Sequence, residues 1–258
     1  MSEPVFDIRG LSLAYGQRVA VQDVDLQIRP HETTVLIGSN GCGKSTLLKG
    51  LSRQLAPSSG TISFQGTELS QVRSKGYARD VALLPQTPVV PEGLTVAELV
   101  ARGRHPHRQW WGSPAAGDDE AVARALSMLS LQDFADRRVD ELSGGQRQRA
   151  WIAMVLAQDT PLVFLDEPTT YLDLAHQVEV LELCRELNQR LGTTIVAVLH
   201  DLNQASRFGD HLVAMRDGRI VASGPPREMV TPALVEQLFG MECVVIPDPV
   251  TGTPMVVP

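Results

Sequence analysis

The sequence predicts an α/β fold: a core on a mainly parallel sheet, an antiparallel β lobe, and an inserted α-helical lobe. Three observations predict it. Residues 5–28 alternate apolar and polar at Val19, Val21, Val24, Leu26 and Ile28, the period of half-buried antiparallel strands. "PLVFLDEP" (161–168) and "TTIVAVLH" (193–200) are continuous apolar runs of the kind buried in a parallel sheet, with a helical stripe between them at Val178, Leu181, Cys184, Leu187 and Leu191. Residues 91–142 change character and read as helical.

In chain order, "TTVLIG" (33–38) is a short buried strand entering a glycine-rich turn, and Ser45–Leu55 follows as a helix. "TISFQGTEL" (61–69) adds a strand and a turn to the antiparallel lobe. Thr95 with Glu98 three residues later is a capping box, so a helix starts there. Asp118, Asp119 and Glu120 suit the first turn of another helix, whose apolar face is Val122, Ala125, Leu126 and Leu129. Asp217-Gly218, between "HLVAM" and "RIVASG", is a two-residue hairpin turn. The whole chain, 1–258, reads as one domain, with a helical subdomain inserted at approximately 87–158 and a C-terminal extension at 241–258.

Composition narrows the function classes. The chain is 43% hydrophobic with a net charge of −7, so general attraction to nucleic acid or anionic lipid is not expected. Cys42, Cys184 and Cys243 are odd in number and widely spaced, which argues against a disulfide framework or zinc cluster. The start carries no signal-peptide pattern, and runs such as "WIAMVLA" (151–157) are too short to cross a bilayer.

"GSNGCGKST" (38–46) matches the phosphate-loop pattern G-x-x-x-x-G-K-[ST], directly after one predicted strand and before a predicted helix. There the backbone N–H groups of Gly38, Ser39, Asn40, Gly41, Cys42, Gly43 and Thr46 can converge on phosphate oxygens at a helix N-terminus, Lys44 can reach the β- and γ-phosphates, and the Ser45 hydroxyl can hold Mg²⁺. A P-loop NTPase core follows. Asp166, at the end of "LVFLD", would hold Mg²⁺ directly or through water, and Glu167 is placed to orient and deprotonate an attacking water. In "LSGGQRQR" (142–149), Ser143 is a good N-cap, and Gly144 and Gly145 leave a second helix start bare for an anion.

Together these motifs resemble the ATP-binding cassette ATPases, in an order that covers nearly the whole chain. The resemblance implies a head-to-tail homodimer in which Ser143, Gly144, Gly145 and Gln146 of one subunit close over ATP held by the other's phosphate loop. It also implies that Tyr15 in "SLAYGQR" stacks on adenine, that Gln86 in "LLPQ" senses Mg²⁺ and the partner, that Asp173 lies in the D-loop, and that His200 in "VLHD" contacts the γ-phosphate. Ser39 departs from the proline common in the family. The subfamily resemblance carried by "GRHPHR", "RAWIAMVLAQDTPLVFLDEPTTYLDLAHQ" and "DPVTGTPMVVP" is to ATPases of bacterial ferric siderophore and related iron-chelate importers.

The stretch "RGRHPHRQWW" (102–111) is basic and aromatic in an acidic chain. Metal binding is disfavoured because His105 and His107 have no acidic or thiol neighbour, and nucleic acid because no further basic stripe supports it. Its place between Gln86 and Ser143 is where the family receives a membrane subunit. The expectation is therefore a permease docking near residues 86–113, with Trp110 and Trp111 as anchors, the alternative being that these tryptophans pack inside the helical lobe. The function expected is a transport-coupled ATPase using ATP and Mg²⁺ at the cytoplasmic face of the inner membrane, serving a permease and, indirectly, a periplasmic or lipoprotein substrate-binding protein, without nucleic acid. The alternatives are a soluble cassette ATPase acting as an assembly or scaffold factor, a cassette ATPase working on nucleic acid, and an importer ATPase for another substrate, such as cobalamin or haem. The absence of long coiled-coil insertions or a second cassette argues against the nucleic-acid reading.

Overall fold

The computed structural model describes residues 3–86, 92–107 and 117–258. The chain opens with an antiparallel hairpin, β1 (Phe6–Tyr15) and β2 (Arg18–Ile28). The apolar alternation slips between Val21 and Val24, and there Asp23 takes φ +51 and the register of the pair shifts. That is a bulge, the device that returns the apolar side chains to the core face. Val19, near the turn, remains 55% exposed.

β3 (Thr33–Ile37) is buried at every position and leads into α1 (Lys44–Leu51). The expected extension of α1 to Leu55 is not made. Arg53 enters the left-handed region at φ +63, and the N–H groups of Gln54 and Leu55 return to the Lys49 carbonyl. β4 (Ser59–Phe64) pairs with β1, and β5 (Thr67–Glu68) completes the antiparallel lobe. Then come α2 (Ser74–Asp80), β6 (Val81–Leu84), α3 (Val96–Arg102), α4 (Asp118–Met128) and α5 (Gly144–Ala157). α3 carries the expected capping box, with Glu98 N–H on Thr95 Oγ1 and Thr95 N–H on Glu98 Oε2. On α4 the buried face is Ala121, Ala125 and Leu126, so Val122 is only half-buried.

β7 (Leu162–Asp166) is fully buried and is followed by α6 (Leu174–Leu191). Its expected stripe is incomplete: Leu181 and Cys184 are buried together with Val180, Val178 and Leu187 are half-buried, and Leu191 at the helix end is 69% exposed. β8 (Thr194–Val198), α7 (Leu202–Phe208), β9 (His211–Arg216) and β10 (Arg219–Gly224) follow. The β9–β10 turn has Asp217 at φ +49 and Gly218 at φ +79, the positive pair that a tight twisted hairpin needs. α8 (Pro226–Met229), α9 (Pro232–Phe239) and a terminal hairpin of β11 (Val244–Pro247) and β12 (Pro254–Val257) end the chain.

These elements form two compact units, residues 1–72 with 185–258, and residues 73–184. In the first, β3 lies between β8 and β9, parallel to both, and β10 adds an antiparallel edge. In the second, β6 and β7 are parallel neighbours, and α3, α4 and α5 pack on one another. The mixed α/β character and the antiparallel lobe expected from the sequence are both present.

Candidate functional site

In the first unit the phosphate loop leaves the C-terminal end of β3. Gly38 takes φ +142, and a Cβ there would sit 2.1 Å from the Met215 carbonyl oxygen, so a side chain is excluded. Gly43 takes φ +109 as the N-cap of α1, with no side-chain cap, and a Cβ there would lie 2.7 Å from the Ala20 carbonyl. The start of α1 therefore carries no side-chain cap, and its dipole adds roughly half a positive charge. Gly41, at φ +77, has open space around it. Ser39, Ser45 and Thr46 are half-buried, Asn40 is exposed and Cys42 is buried.

Lys44 is 5% exposed. Its ammonium donates to the carbonyls of Gly38 at 2.8 Å and Ser39 at 3.0 Å, and lies 3.8 Å from Cys42 Sγ. Among the described residues this buried cation is held by neutral carbonyls and a thiol, and is poised to accept an anion. His200 follows β8 as Gly38 follows β3, and these strands are parallel neighbours with Leu36 beside Val198. Both residues therefore leave the same C-terminal strand edge, where open α/β sheets receive ligands. His200 is exposed and precedes Asp201, whose carboxylate accepts from the N–H groups of Asn203 and Gln204 to cap α7. Tyr15, at the end of β1, is 47% exposed, with Lys49 Nζ 5.9 Å over its ring.

The second unit repeats that logic. Gln86 lies two residues past the C-terminal end of β6 and Asp166 is the last residue of β7; the two strands are parallel neighbours with Leu84 beside Leu165. Gln86 is exposed, whereas Asp166 is 4% and Glu167 9% exposed. Glu167 takes φ +55, a conformation a non-glycine residue adopts only when its surroundings enforce it. Thr170 Oγ1 donates to Glu167 Oε2 at 3.3 Å, holding one carboxylate oxygen.

α5 begins at the expected N-cap, Ser143, and its capping is fuller than expected. Gln146 N–H donates to Ser143 Oγ, while Ser143 N–H donates to Gln146 Oε1. The S-x-x-Q spacing signals this second bond, which reading Ser143 alone misses. Both glycines of the motif face the segment after β7: a Cβ on Gly144 would lie 3.9 Å from Tyr171 Cβ, and one on Gly145 3.5 Å from Leu172 Cδ2. Gln148, which motif reading passes over, is buried and donates to the Pro168 carbonyl at 3.0 Å. Asp173 accepts from the His176 backbone N–H at 3.0 Å and pairs with its ring at 2.8 Å. The backbone bond first, and then the ring, holds the Asp173 carboxyl below its ordinary pKa.

The basic stretch divides in a way the expectation of a docking surface did not anticipate. Arg104 is buried and pairs with Asp118 at 2.8 Å, so its guanidinium is unavailable to a partner. His107 Nε2 bonds the Gln158 carbonyl at 2.6 Å, whereas Arg102 and His105 are exposed. Trp110 and Trp111, the expected anchors, lie outside the described residues.

Comparison with known proteins fits this geometry. The family model for ABC transporters matches residues 21–170. The ferric enterobactin transport ATP-binding protein FepC of Escherichia coli (strain K12) is 50% identical over 260 residues, covering 100% of this chain and 96% of that protein. Among solved structures, a chain of an inward-facing transporter assigned to the metal-chelate ABC type superposes with a TM-score of 0.84 at 27% identity, covering 100% of this chain and 98% of that one. A dimeric ATP-binding cassette in a post-hydrolysis state, bound to ADP and phosphate, superposes with a TM-score of 0.76 at 26% identity over 85% of this chain and 98% of that one. The chain therefore belongs to the ABC transporter family as an ATP-binding ATPase subunit.

Proposed function

We propose that the chain is the ATP-hydrolysing subunit of a membrane importer for ferric siderophores or related iron chelates, working as a homodimer against a permease at the cytoplasmic face of the inner membrane. The observation that carries the reading is the phosphate loop: a glycine N-cap at positive φ with no side-chain cap at the start of α1, beside a buried Lys44 bonded to two neutral carbonyls. The choice of cargo rests on the 50% identity to the ferric enterobactin protein and the likeness to a metal-chelate type transporter.

In this reading ATP lies with its phosphates on residues 38–46 and its adenine on Tyr15. Lys44 trades carbonyl contacts for the β- and γ-phosphates. The hard oxygen donors of Ser45, Asp166 and Gln86 suit Mg²⁺, which when bound neutralises phosphate charge. Glu167 takes a proton from water as its oxygen bonds the γ-phosphorus; the bond to the β–γ bridging oxygen breaks, leaving ADP and phosphate. His200 contacts the γ-phosphate. Ser143, Gly144, Gly145 and Gln146 of the second copy close the site, and Asp173 lies in the loop between copies. Residues 86–113, with Trp110 and Trp111, receive the permease, and a periplasmic or lipoprotein binding protein delivers the chelate.

Uptake tests the reading. A strain lacking this gene is complemented with the native chain or with Glu167→Gln and given a panel of iron-loaded siderophores. Uptake of at least one chelate restored by the native chain alone is expected. Equal uptake with both chains would remove the transport assignment.

A further inference from the structure

α5 runs from the signature motif at its start to Ala157 at its end, and the far end is tied down by charge. A helix leaves its last carbonyls without intrahelical donors and carries a partial negative charge there. Arg104 Nη1 donates to the Ala157 carbonyl at 2.9 Å, and His107 bonds the Gln158 carbonyl at 2.6 Å. The same guanidinium pairs through Nε with Asp118, the first residue of α4, at 2.8 Å. Helix N-termini favour acids, so cation and anion each lie at the helix end that favours its charge. The pair is secluded, with side chains 10% and 3% exposed.

Further contacts make this a junction. A Cβ on Gly103 would come within 2.1 Å of the Met154 carbonyl, so the chain before Arg104 lies directly against the last turns of α5. Gln158 Nε2 donates to the carbonyls of Ala78 and Val81, and Arg79 Nε to that of Pro106. Residues 103–107 and the starts of α4 and β6 therefore meet at the C-terminal end of α5.

Resting on the proposed role of Ser143–Gln146 in closing over ATP, we propose that Arg104 is a positioning residue for hydrolysis: it fixes the end of α5 and thereby the placement of the signature motif at the start. α5 has 14 residues, roughly 20 Å at about 1.5 Å per residue. A rigid rod of that length converts a small tilt at one end into a displacement of about 1 Å at the other, enough to cost on the order of a hundredfold in a reaction that depends on alignment. Arg104 touches no substrate in this account and acts through the helix.

The test uses the full chain. Arg104→Met alone takes this guanidinium from a secluded carboxylate and can unfold the lobe, so the informative variant is the double Arg104→Met/Asp118→Leu, which leaves neither charge of the pair buried. Expected results are a melting temperature near that of the native chain, ATP affinity by calorimetry within about twofold, unchanged KM, and kcat lowered at least about tenfold. Arg104→Lys, keeping a cation at the helix end, should recover most of kcat. A double variant with native kcat overturns the proposal, as does loss of kcat and ATP affinity in parallel with melting, which marks general damage. Ser143→Arg separates the underlying reading. If that variant hydrolyses ATP normally, the signature has no role in closure and the proposal falls with it; if it is inactive while the double variant is normal, only the proposal falls.

Discussion

Replacing Lys44 with alanine tests the phosphate loop through two quantities that move for different reasons. In the native chain the ammonium is 5% exposed and held by the Gly38 and Ser39 carbonyls at 2.8 and 3.0 Å. When the γ-phosphate arrives, the ammonium exchanges a neutral acceptor for an anionic one, so the net gain is about one charge-assisted bond rather than two. That bond is worth about 1.5–3 kcal/mol, so ATP affinity should fall about ten- to a hundredfold. Without nucleotide, the Ser39 carbonyl is half-buried and water can replace its donor, whereas Gly38 is buried and keeps an orphaned acceptor. The orphan costs about 1–3 kcal/mol, offset in part by no longer burying a cation. In a chain of this size each 1 kcal/mol lowers the melting temperature by about 2–4 °C, so a drop of a few degrees is expected. Calorimetric titration with ATP and a thermal melt of the same sample measure both. Lys44→Met, which keeps the apolar stem, should lose the same affinity with less destabilisation. Unchanged ATP affinity in either variant would falsify the placement of phosphate on this loop.

Three further outcomes follow from the geometry. Glu167→Gln should bind ATP yet hydrolyse it about 10²–10⁴ times more slowly, the usual worth of a general base. It should also accumulate as an ATP-bound dimer in light scattering, and near-native turnover would remove Glu167 from the role. Gly103→Ala puts a Cβ against the Met154 carbonyl at a φ of −55, so the cost is purely steric. Destabilisation of about 1–3 kcal/mol is expected because backbone must move; a melt within 1–2 °C of native, about half a kcal/mol, would contradict the close approach. Asn203→Leu removes both bonds to Val256, its Nδ2 to the carbonyl at 3.1 Å and the Val256 N–H to Oδ1 at 2.7 Å. Faster amide exchange across β11 and β12 with unchanged ATP affinity is expected, and unchanged exchange would show the hairpin is held by its apolar contacts.

What could be read from the sequence, and what could not, follows the range of the forces involved. The fully buried strands announced themselves because burial on both faces leaves no polar position, so "TTVLI", "LVFLD" and "TIVAV" are legible as composition. The Asp217-Gly218 turn and the Thr95 and Ser143 caps are equally local, each decided by residues within four positions. The phosphate loop is legible for the same reason, its strand, glycines, lysine and helix being contiguous. The arginines of "RGRHPHR" are another matter. Arg102 and Arg104 look alike in sequence, yet Arg102 is exposed while Arg104 meets a carbonyl 53 residues away and a carboxylate 14 residues away in the fold. The net charge of the stretch suggested a surface, because exposed charge is the usual case. Arg104 escapes that rule because two helix ends converge where it lies. The C-terminal end of α5 and the first turn of α4 are fixed partial charges, negative and positive, that exist only once both helices have formed. They make a buried Arg–Asp pair tolerable where an isolated pair would cost more in desolvation than it returns. A basic motif can therefore serve the inside of a lobe when the folded helices supply the counter-charges, and the positions of those helix ends belong to the tertiary structure rather than to any stretch of residues around the motif.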